Sequence, residues 1–266
     1  MDGDGISLGD IVVRLANNAH EVAQAQSIRY HIFYEEFNAK PNPQASETKL
    51  DFDKYDEFAD HLVVIDNSIS DNEQRIVGTY RLLRQADADK AGGFYTSDEF
   101  DISKLINNYD GLLEMGRSCV LPDYRSKAVL QLLWQGIAEY VAHYNLKFLF
   151  GCASFHGTNP NDHAESLSYL YHNHMAPDEF RPKALSHVYT KMDLIAPDKI
   201  DAKKVIRNLP PLIKGYLRIG GFVGDGAFVD HNFDTTDVCV VLSTKHLTSS
   251  YQKHYERKTG AEFGNE

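Results

Sequence analysis

Two opposite charges lie inside one apolar run of the sequence. The run LLEMGRSCVLPDYR, residues 112–125, places Glu114 and Arg117 among side chains that are typical of a buried strand. Burying a charge is costly unless an opposite charge or a hydrogen-bonding group stabilises it. A carboxylate held in this way can accept a proton from an attacking amine, and a guanidinium can bind a carboxylate through two hydrogen bonds. The pair predicts either an acid–base site or a structural ion pair.

Gly116 separates the two charges and affects the side to which each one points. In a regular strand, residues three apart face opposite sides of the sheet. Glycine inside a strand often marks a β-bulge, which adds one residue and shifts this alternation. With a bulge at residues 115–116, Glu114 and Arg117 would face the same side. Backbone N–H groups from Met115 to Arg117 would then be free to stabilise an oxyanion at a split between two strands.

Four other short stretches contribute polar or aromatic side chains. RYHIF places Arg29 and Phe33 one helical turn apart, and GTYRLL places Arg81 inside a strand-like run. DKYD supplies two carboxylates and SDEF supplies a phenylalanine. We expect the opposite charges of this set to neutralise one another and to frame a polar substrate. The candidate residues are Arg29, Phe33, Asp53, Asp56, Arg81, Phe100, Glu114 and Arg117.

The elements that must position these residues follow from hydrophobic periodicity. The order of strands and helices predicts a mixed α/β (α+β) fold, in which a mixed central sheet is flanked by helices. Residues 38–50 contain two prolines and are predicted to form a loop, and the end of the chain is predicted to form a polar helical tail. Strands are predicted at residues 10–17, 61–66, 75–83, 112–121, 147–155, 187–195 and 236–244, and helices at residues 19–37, 101–108, 126–144 and 161–174.

Composition limits the classes of protein that fit. The 266 residues suit one large domain, or one domain with an extension. Three cysteines lie far apart, which argues against a disulfide framework and favours a reducing, cytoplasmic location. The net charge of −11 disfavours general nucleic-acid binding. The sequence has no apolar run long enough to span a membrane. The histidines at 156, 163, 172 and 174 fit no single ligand geometry, so we predict no metal site.

The motifs in this order resemble the signature of the acyl-homoserine-lactone synthases, which are relatives of the GNAT N-acetyltransferases. That signature consists of R-x3-F, D-x2-D, an arginine in a G-x-x-R-L-L strand, a phenylalanine after the next loop, and E-x2-R. The order and spacing match from Arg29 to Arg117. The synthases also carry a tryptophan soon after R-x3-F, whereas the single tryptophan of this sequence is Trp134.

A second resemblance covers nearly the whole chain. LLEMGRSCVLPDYR, FLFGCASFHGTNP, YLYHNHMAP and PPLIKGYLRIGGFVGDGAFVD look like segments of the L-ornithine N-alpha-acyltransferases of bacterial ornithine-lipid synthesis. This resemblance implies transfer of a 3-hydroxyacyl chain from acyl carrier protein to the α-amine of L-ornithine, giving lyso-ornithine lipid. It implies no cofactor, because the acyl group arrives on the 4′-phosphopantetheine of the carrier. We expect a GNAT-like core at residues 1–195 and a C-terminal extension at residues 196–266 that packs on it.

The resemblance and the residue types together suggest roles. Glu114 would act as the base, directly or through a water, and Arg29 or Arg117 would bind the acceptor's carboxylate. Asp53 or Asp56 would bind the side-chain ammonium of ornithine.

The donor side suggests further roles. The stretch YRSKAVL lacks the glycines of a coenzyme A loop, which favours a carrier-protein donor that Arg125 and Lys127 could contact. A second basic set could contact either the acidic carrier or anionic lipid headgroups at the inner membrane, and consists of Lys203, Lys204, Arg207, Lys214 and Arg218.

Other functions stay open at this point. The acceptor could be glycine or another amino acid, or the enzyme could be a coenzyme A-dependent N-acetyltransferase or an acyl-homoserine-lactone synthase. A non-enzymatic module that binds acyl carrier protein is the alternative from another class. Such a module would bind the carrier but would release no thiol when an amine is added.

Overall fold

A computed structural model describes residues 5–72 and 74–247. In that part of the chain the strands are β1 Ile6–Leu8, β2 Ile11–Leu15, β3 Asp60–Asp66, β4 Ile76–Arg84, β5 Phe100–Asp101, β6 Leu112–Val120, β7 Phe148–His156, β8 Lys183–Ala184, β9 Phe222–Asp230 and β10 Thr235–Ser243. The α-helices are α1 Ala19–Tyr30, α2 Pro43–Thr48, α3 Gln85–Ala91, α4 Ser103–Asn108, α5 Lys127–His143, α6 Ala164–His174, α7 Ala202–Asn208 and α8 Pro211–Arg218. The predicted mixed α/β class is confirmed, whereas the predicted polar tail lies outside the described residues.

The chain divides into two compact units. The first comprises Met1–Gly92 and Met115–Leu146, and the second comprises Gly93–Glu114 and Lys147–Glu266. The division falls inside β6, directly after Glu114. The predicted boundary between residues 195 and 196 stays a prediction.

The first unit is built on antiparallel strands. Its strand order is β1, β2, β3, β4, followed by the second half of β6, and the register of β3 with β4 pairs His61 with Arg81. Helix α1 packs on these strands through Ala25 and Ile28, which share a buried apolar cluster with Ile32, just after the helix, and with residues of β3, β4 and β6. The strands therefore bring Arg81, Arg117 and the helix that carries Arg29 into one small volume.

Helix α1 begins where the sequence predicts and ends with a wider turn. The side chain of Asn18 caps the helix by accepting a hydrogen bond from the N–H of Glu21. After Tyr30 the backbone continues as a π-helical segment over His31–Glu36. There the N–H of Phe37 donates to the carbonyl of Ile32, five residues back, at 3.0 Å. The predicted helix over residues 19–37 is confirmed.

The second unit contains both parallel and antiparallel strands. Starting from the first half of β6, its order is β7, β10, β9, β8, β5. Strands β6 and β7 are parallel, while β10 is antiparallel to both β7 and β9. Residues that are partners across strands share a face of the sheet. One face of the sheet in this unit therefore carries Glu114 together with side chains of β7 and β10.

Two local predictions are wrong, and one helix was not predicted. Residues 38–50, predicted as a loop, contain α2, because Asn42 caps the helix and a proline is tolerated at its first position. Helix α3 was not predicted. Residues 187–195 form no strand; they make a single β-bridge at Thr190. Three backbone groups of this segment, in Met192, Leu194 and Ile195, bond instead to the hydroxyl of Ser168 on α6.

The helices within the described ranges are too short or too polar to cross a lipid bilayer.

Candidate active site

The centre of the charged network in the first unit is Arg29. Its side chain is fully buried at 0% exposure. The Nε atom donates to Asp51 Oδ2 at 2.7 Å, while Nη1 and Nη2 donate to the two oxygens of Asp56 at 2.5 and 3.1 Å. This bidentate contact is the geometry in which a guanidinium binds a carboxylate most specifically. Arg29 therefore holds Asp51 and Asp56 in fixed positions.

Two further arginines complete the network from β4 and β6. The Nη1 atom of Arg81 donates to Asp53 Oδ1 at 2.6 Å and to Asp56 Oδ2 at 3.2 Å. The Nη2 atom of Arg117 donates to Asp53 Oδ2 at 3.2 Å, and its Nε lies 3.5 Å from Asp51 Oδ2. Three guanidiniums thus face three carboxylates, so their formal charges balance. The predicted neutralisation is confirmed for Arg29, Asp53, Asp56, Arg81 and Arg117.

The arginines decide the ionisation of the buried carboxylates. Burial alone would raise the pKa of Asp51, but the charges of Arg117 and Arg29 outweigh it and hold that pKa below its usual range. Burial likewise opposes ionisation of Asp56, and the hydrogen bonds and charge of Arg29, aided by Arg81, lower its pKa. His61 is next to Asp56, and burial lowers the pKa of its imidazole. The network is therefore built from ionised carboxylates beside a neutral histidine.

This geometry bears on the roles suggested for the network. Arg29 is inaccessible and uses all three guanidinium nitrogens on aspartates, so its observed contacts are structural. Asp53 and Asp56 both accept from arginines. Phe33 is partly buried and packs against the apolar cluster of the first unit. Binding of the acceptor's carboxylate by Arg29 or Arg117, and of its ammonium by Asp53 or Asp56, stays a prediction.

Glu114 lies in the second unit and is held by the chain from Tyr95 to Thr96. It is 4% exposed. Its Oε2 accepts from the N–H of Tyr95 at 2.9 Å, and its Oε1 accepts from both the N–H of Thr96, at 2.6 Å, and the hydroxyl of Thr96. An ionised carboxylate is acceptor-only and can accept all three hydrogen bonds. These three hydrogen bonds therefore fix the position of the Glu114 carboxyl group.

The backbone after Glu114 departs from a regular strand. Arg117 adopts a left-handed conformation with φ of 53°, which is uncommon for a residue with a side chain. A Cβ atom placed on the neighbouring Gly116 would meet nothing within 4 Å. A backbone irregularity thus follows the glycine directly, at Arg117, and the bulge at 115–116 stays a prediction. Open space lies beside the strand at Gly116.

The remaining candidate residues lie in different surroundings. Phe100 is fully buried in β5 and pairs with Ala184 of β8. Arg125 donates to both oxygens of Glu36 at 2.6 Å and from its Nε to the carbonyl of Val120 at 2.9 Å. Lys127 is exposed at the first position of α5. The donor contacts expected of Arg125 and Lys127 stay a prediction.

Three buried carboxylates form a second cluster in the second unit. Glu99, Asp230 and Asp237 are 5%, 6% and 5% exposed. One oxygen from each lies within 4.8 Å of the others. The thiol of Cys152 donates to Glu99 Oε2 at 3.0 Å. Sequence reasoning missed this cluster, because Glu99 is distant in the chain and Asp230 and Asp237 come together only through the register of β9 with β10.

Other missed residues lie close to the candidates. Asp51 precedes Asp53 by two positions, and the pattern D-x-D-x2-D over residues 51–56 is a signal that could have found it. Thr96 carries no comparable signal, because a threonine in a loop is common. Cys119 belongs to the apolar cluster of the first unit, and burial raises the pKa of its thiol to about 12.

The basic set predicted near the C-terminus lies mainly on α7 and α8. Lys203, Lys204, Arg207 and Arg218 are exposed. The ammonium of Lys204 pairs with Glu165 at 2.8 Å, and that of Lys214 donates to the carbonyl of Arg207.

Comparisons with known proteins agree with this fold and these motifs. An acetyltransferase (GNAT) domain matches residues 28–135, a range that contains the arginine network and Glu114. Among solved structures, FeeM, an N-acyl amino acid synthase from uncultured soil microbes, has a TM-score of 0.50 and 11% identity, covering 88% of this chain and 89% of that chain. At this identity the likeness is one of fold. Matched domain and fold together define an acyltransferase of the GNAT class.

Sequence identity over nearly the full length narrows the class. The chain is 46% identical over 256 residues to the L-ornithine N(alpha)-acyltransferase of Rhizobium meliloti (strain 1021), covering 95% of this chain and 86% of that protein. It is 40% identical over 247 residues to the enzyme of the same name from Rhodobacter capsulatus, covering 92% and 95%. The chain belongs to the L-ornithine N(alpha)-acyltransferase family.

Proposed function

We propose that this protein transfers a 3-hydroxyacyl chain from acyl carrier protein to the α-amine of L-ornithine, giving lyso-ornithine lipid. Family membership supports the acceptor, because the relatives at 40–46% identity are named for ornithine. The observation that carries the chemistry is the carboxylate of Glu114, which is 4% exposed and receives hydrogen bonds from Tyr95 and Thr96.

The reaction needs a base because the α-amine is mostly protonated near neutral pH, with an ordinary pKa of about 8. In its neutral form the amine attacks the thioester carbonyl, and a C–N bond forms. Glu114 accepts the proton that the nitrogen releases, directly or through a water. The tetrahedral intermediate then breaks its C–S bond, and the phosphopantetheine sulfur leaves and takes up a proton.

The oxyanion of that intermediate needs fixed hydrogen-bond donors. The N–H groups of residues 115–117 are the proposed donors, since they follow the base directly in the chain. The left-handed conformation at Arg117 and the open space beside Gly116 support this assignment. A thioester carbonyl can approach the backbone there without meeting a side chain of the strand.

The acyl donor is proposed to be a carrier protein, which is acidic and needs a basic surface to dock. The exposed basic residues of α7 support such a contact, with Ile206 exposed between them at 46%. Arg125 and Lys127 are proposed to contact the phosphopantetheine arm. We place the enzyme in the cytoplasm. The surface of α7 also suits anionic headgroups of the inner membrane.

The proposal is tested by thiol release from 3-hydroxyacyl carrier protein with ornithine, glycine, a homoserine-type amine or no amine. We expect release with ornithine and an acyl-ornithine product by mass. Thiol release with glycine but not with ornithine would make glycine the acceptor and leave the proposed mechanism unchanged. Carrier binding without release for every amine would favour a binding module.

The role of Glu114 is tested separately with Glu114→Gln. General-base catalysis contributes about 10²–10⁴-fold, so we expect a loss of that size in kcat. The exposed Glu47→Gln is the matched control and should retain turnover. Full turnover by a folded Glu114→Gln protein would overturn the assignment of the base.

A further inference from the structure

The buried carboxylates of Glu99, Asp230 and Asp237 have no part in the chemistry described so far. One oxygen from each lies within 4.8 Å of the others, in a site where each residue is at most 6% exposed. At such separations negative charges repel strongly, and burial removes the water that would screen them. The arrangement therefore suits a cation.

The spacing of these oxygens matches the size of a primary ammonium. An ammonium has three N–H donors in tetrahedral directions and no acceptor. With N–H···O distances of about 2.8 Å, three accepting oxygens would be separated by about 4.6 Å. One carboxylate oxygen from each of Glu99, Asp230 and Asp237 can thus accept one of the three hydrogen bonds.

A second observation points into the same cluster. The hydroxyl of Thr235 is buried without a hydrogen-bond partner among the described residues, in a residue that is 6% exposed. Thr235 is the cross-strand partner of Asp230 and lies two residues before Asp237 in β10. Both relationships place its side chain on the face that carries the carboxylates. An unsatisfied buried hydroxyl is costly, and its oxygen could accept a hydrogen bond from an N–H that a bound ammonium shares between it and a carboxylate.

The cluster shares its sheet face with Glu114. Glu114 is paired with Phe150 of β7, and Cys152 lies two residues further along that strand. Cys152 is paired with Cys239 of β10, which lies two residues after Asp237. Successive side chains alternate between faces, so all of these residues project to one side.

A series of polar contacts connects Glu114 to the carboxylate cluster on this face. The hydroxyl of Thr96 donates to Glu114, the thiol of Cys152 lies 3.9 Å from that hydroxyl, and the same thiol donates to Glu99. Ser154, which is directly across from Asp237, is exposed. The face therefore meets solvent at Ser154.

We infer that Glu99, Asp230 and Asp237 bind the side-chain ammonium of the acceptor amino acid and so select a diamino acid over an acceptor with an apolar side chain. The inference rests on the proposed function, because the acceptor supplies the cation. Five bonds separate the two nitrogens of ornithine, a span of about 6 Å when extended. The α-amine can then lie at Glu114 while the second amine lies among the carboxylates.

The structure favours this cluster over Asp53 and Asp56 for that role. Asp56 accepts from Arg29 and Arg81, and Asp53 accepts from Arg81 and Arg117. An ammonium would have to compete with guanidiniums for those oxygens. In the cluster, the thiol of Cys152 donates to Glu99, and the N–H groups of Asn232 and Phe233 donate to one oxygen of Asp230.

The test compares L-ornithine with L-norvaline, which has the same carbon skeleton and lacks the side-chain amine. Hydrogen bonds to charged groups are worth enough to change affinity about 10–100-fold. We expect the wild-type protein to prefer ornithine by a factor in this range. Asp237→Asn and Glu99→Gln should raise KM for ornithine at least about 10-fold and so reduce the preference for ornithine over norvaline.

Two further variants keep the test informative if the carboxylate variants fold poorly. Thr235→Val preserves shape and removes the buried hydroxyl, so KM for ornithine should rise about 2–10-fold. Asp225→Asn is the matched control on β9, where Asp225 contacts Lys183 and Tyr189, and should keep wild-type constants. Stabilisation of each protein against heat by ornithine, without donor, gives a binding readout that does not depend on turnover.

The outcomes separate the inference from the proposed function. A wild-type protein that acylates no ornithine contradicts the function. A wild-type protein that acylates ornithine, with its preference over norvaline unchanged in Asp237→Asn and Glu99→Gln, overturns the inference alone. Stoichiometric binding of Ca²⁺ or Mg²⁺ by calorimetry, lost in Asp237→Asn, would also overturn it and would make the cluster a metal site.

Discussion

Thr96 donates two hydrogen bonds to one oxygen of Glu114, from its backbone N–H at 2.6 Å and from its hydroxyl. The N–H of Tyr95 donates to the other oxygen. These contacts fix the carboxyl group of Glu114 in orientation. If Glu114 acts as the proposed base, it needs little reorganisation when the amine arrives.

Replacing Thr96 by Val should lower kcat about 10-fold with little change in KM for ornithine, because it removes the hydroxyl donor and preserves shape. Thr96→Ser is the matched control, since it retains the hydroxyl, and should keep most of the activity. Both are measured by thiol release under saturating donor. Equal rates for the two variants would show that the hydroxyl does not support the base.

Replacing Arg29 by Met should lower the free energy of unfolding by about 3–5 kcal/mol. The change leaves Asp51 and Asp56 buried without the guanidinium that binds both, and breaking a buried pair from one side has a cost of this size. Arg14→Met removes the partner of Glu21 at a more exposed pair and should cost about 1 kcal/mol or less. The free energies of unfolding of the two variants are measured by urea denaturation. Similar decreases for both would contradict the central structural role of Arg29 in the network.

His61 should make stability fall as the pH drops below about 6.5. Burial lowers the pKa of its imidazole in the folded protein. The unfolded chain therefore binds a proton that the folded protein does not, and the free energy of unfolding decreases by at most about 1.4 kcal/mol per pH unit in that window. The stability that Asp51 and Asp56 contribute is lost only at lower pH, below about 4, since their folded pKa values are depressed.

His61→Gln removes this titration, so its unfolding free energy should vary less between pH 6.5 and pH 5 than that of the wild type. The exposed His187→Gln serves as the control and should follow the wild-type curve. A His61→Gln protein with the wild-type slope would contradict the assignment.

Gly116→Ala should abolish most acyl transfer without unfolding the protein. Apart from the two adjacent residues of the chain, the new methyl group meets no atom within 4 Å, so stability should be nearly unchanged. It enters the space proposed for the thioester, and kcat/KM should fall at least about 10-fold. Gly136→Ala gives the reverse pattern, because its Cβ would lie 2.9 Å from Val13 Cγ1 and overpacking costs about 1–3 kcal/mol. Thermal melting and turnover are measured on both.

The sequence predicts most of the sheet and much of the charged network, for a physical reason. Apolar periodicity gives the strands, and charges inside strands or helices are visible because burial makes them unusual. Arg81 in β4 and Glu114 in β6 could be chosen for this reason. The partners of such a residue could be predicted only where a motif supplies opposite charges, as residues 53–56 supply two carboxylates for Arg81.

What the sequence could not predict depends on contacts between distant segments. Thr96 becomes a donor to Glu114 only because residues 95–98 form a short 3₁₀ helix beside β6. Asp230 and Asp237 meet across a hairpin whose register cannot be read from either strand alone. The failed strand at 187–195 has the same origin, since one serine of α6 binds the backbone groups that a neighbouring strand would have bound.

The segment of residues 51–56 has no regular helix or strand, and its aspartates are held by arginines from α1, β4 and β6. It cannot dock until all three elements have assembled, because each contributes one of the cations. Its contacts should therefore form after the rate-limiting step of folding. Substitutions in this segment should speed unfolding and leave the folding rate almost unchanged in a chevron analysis. The ion pairs of the segment would thus lower the unfolding rate and determine the lifetime of the folded enzyme.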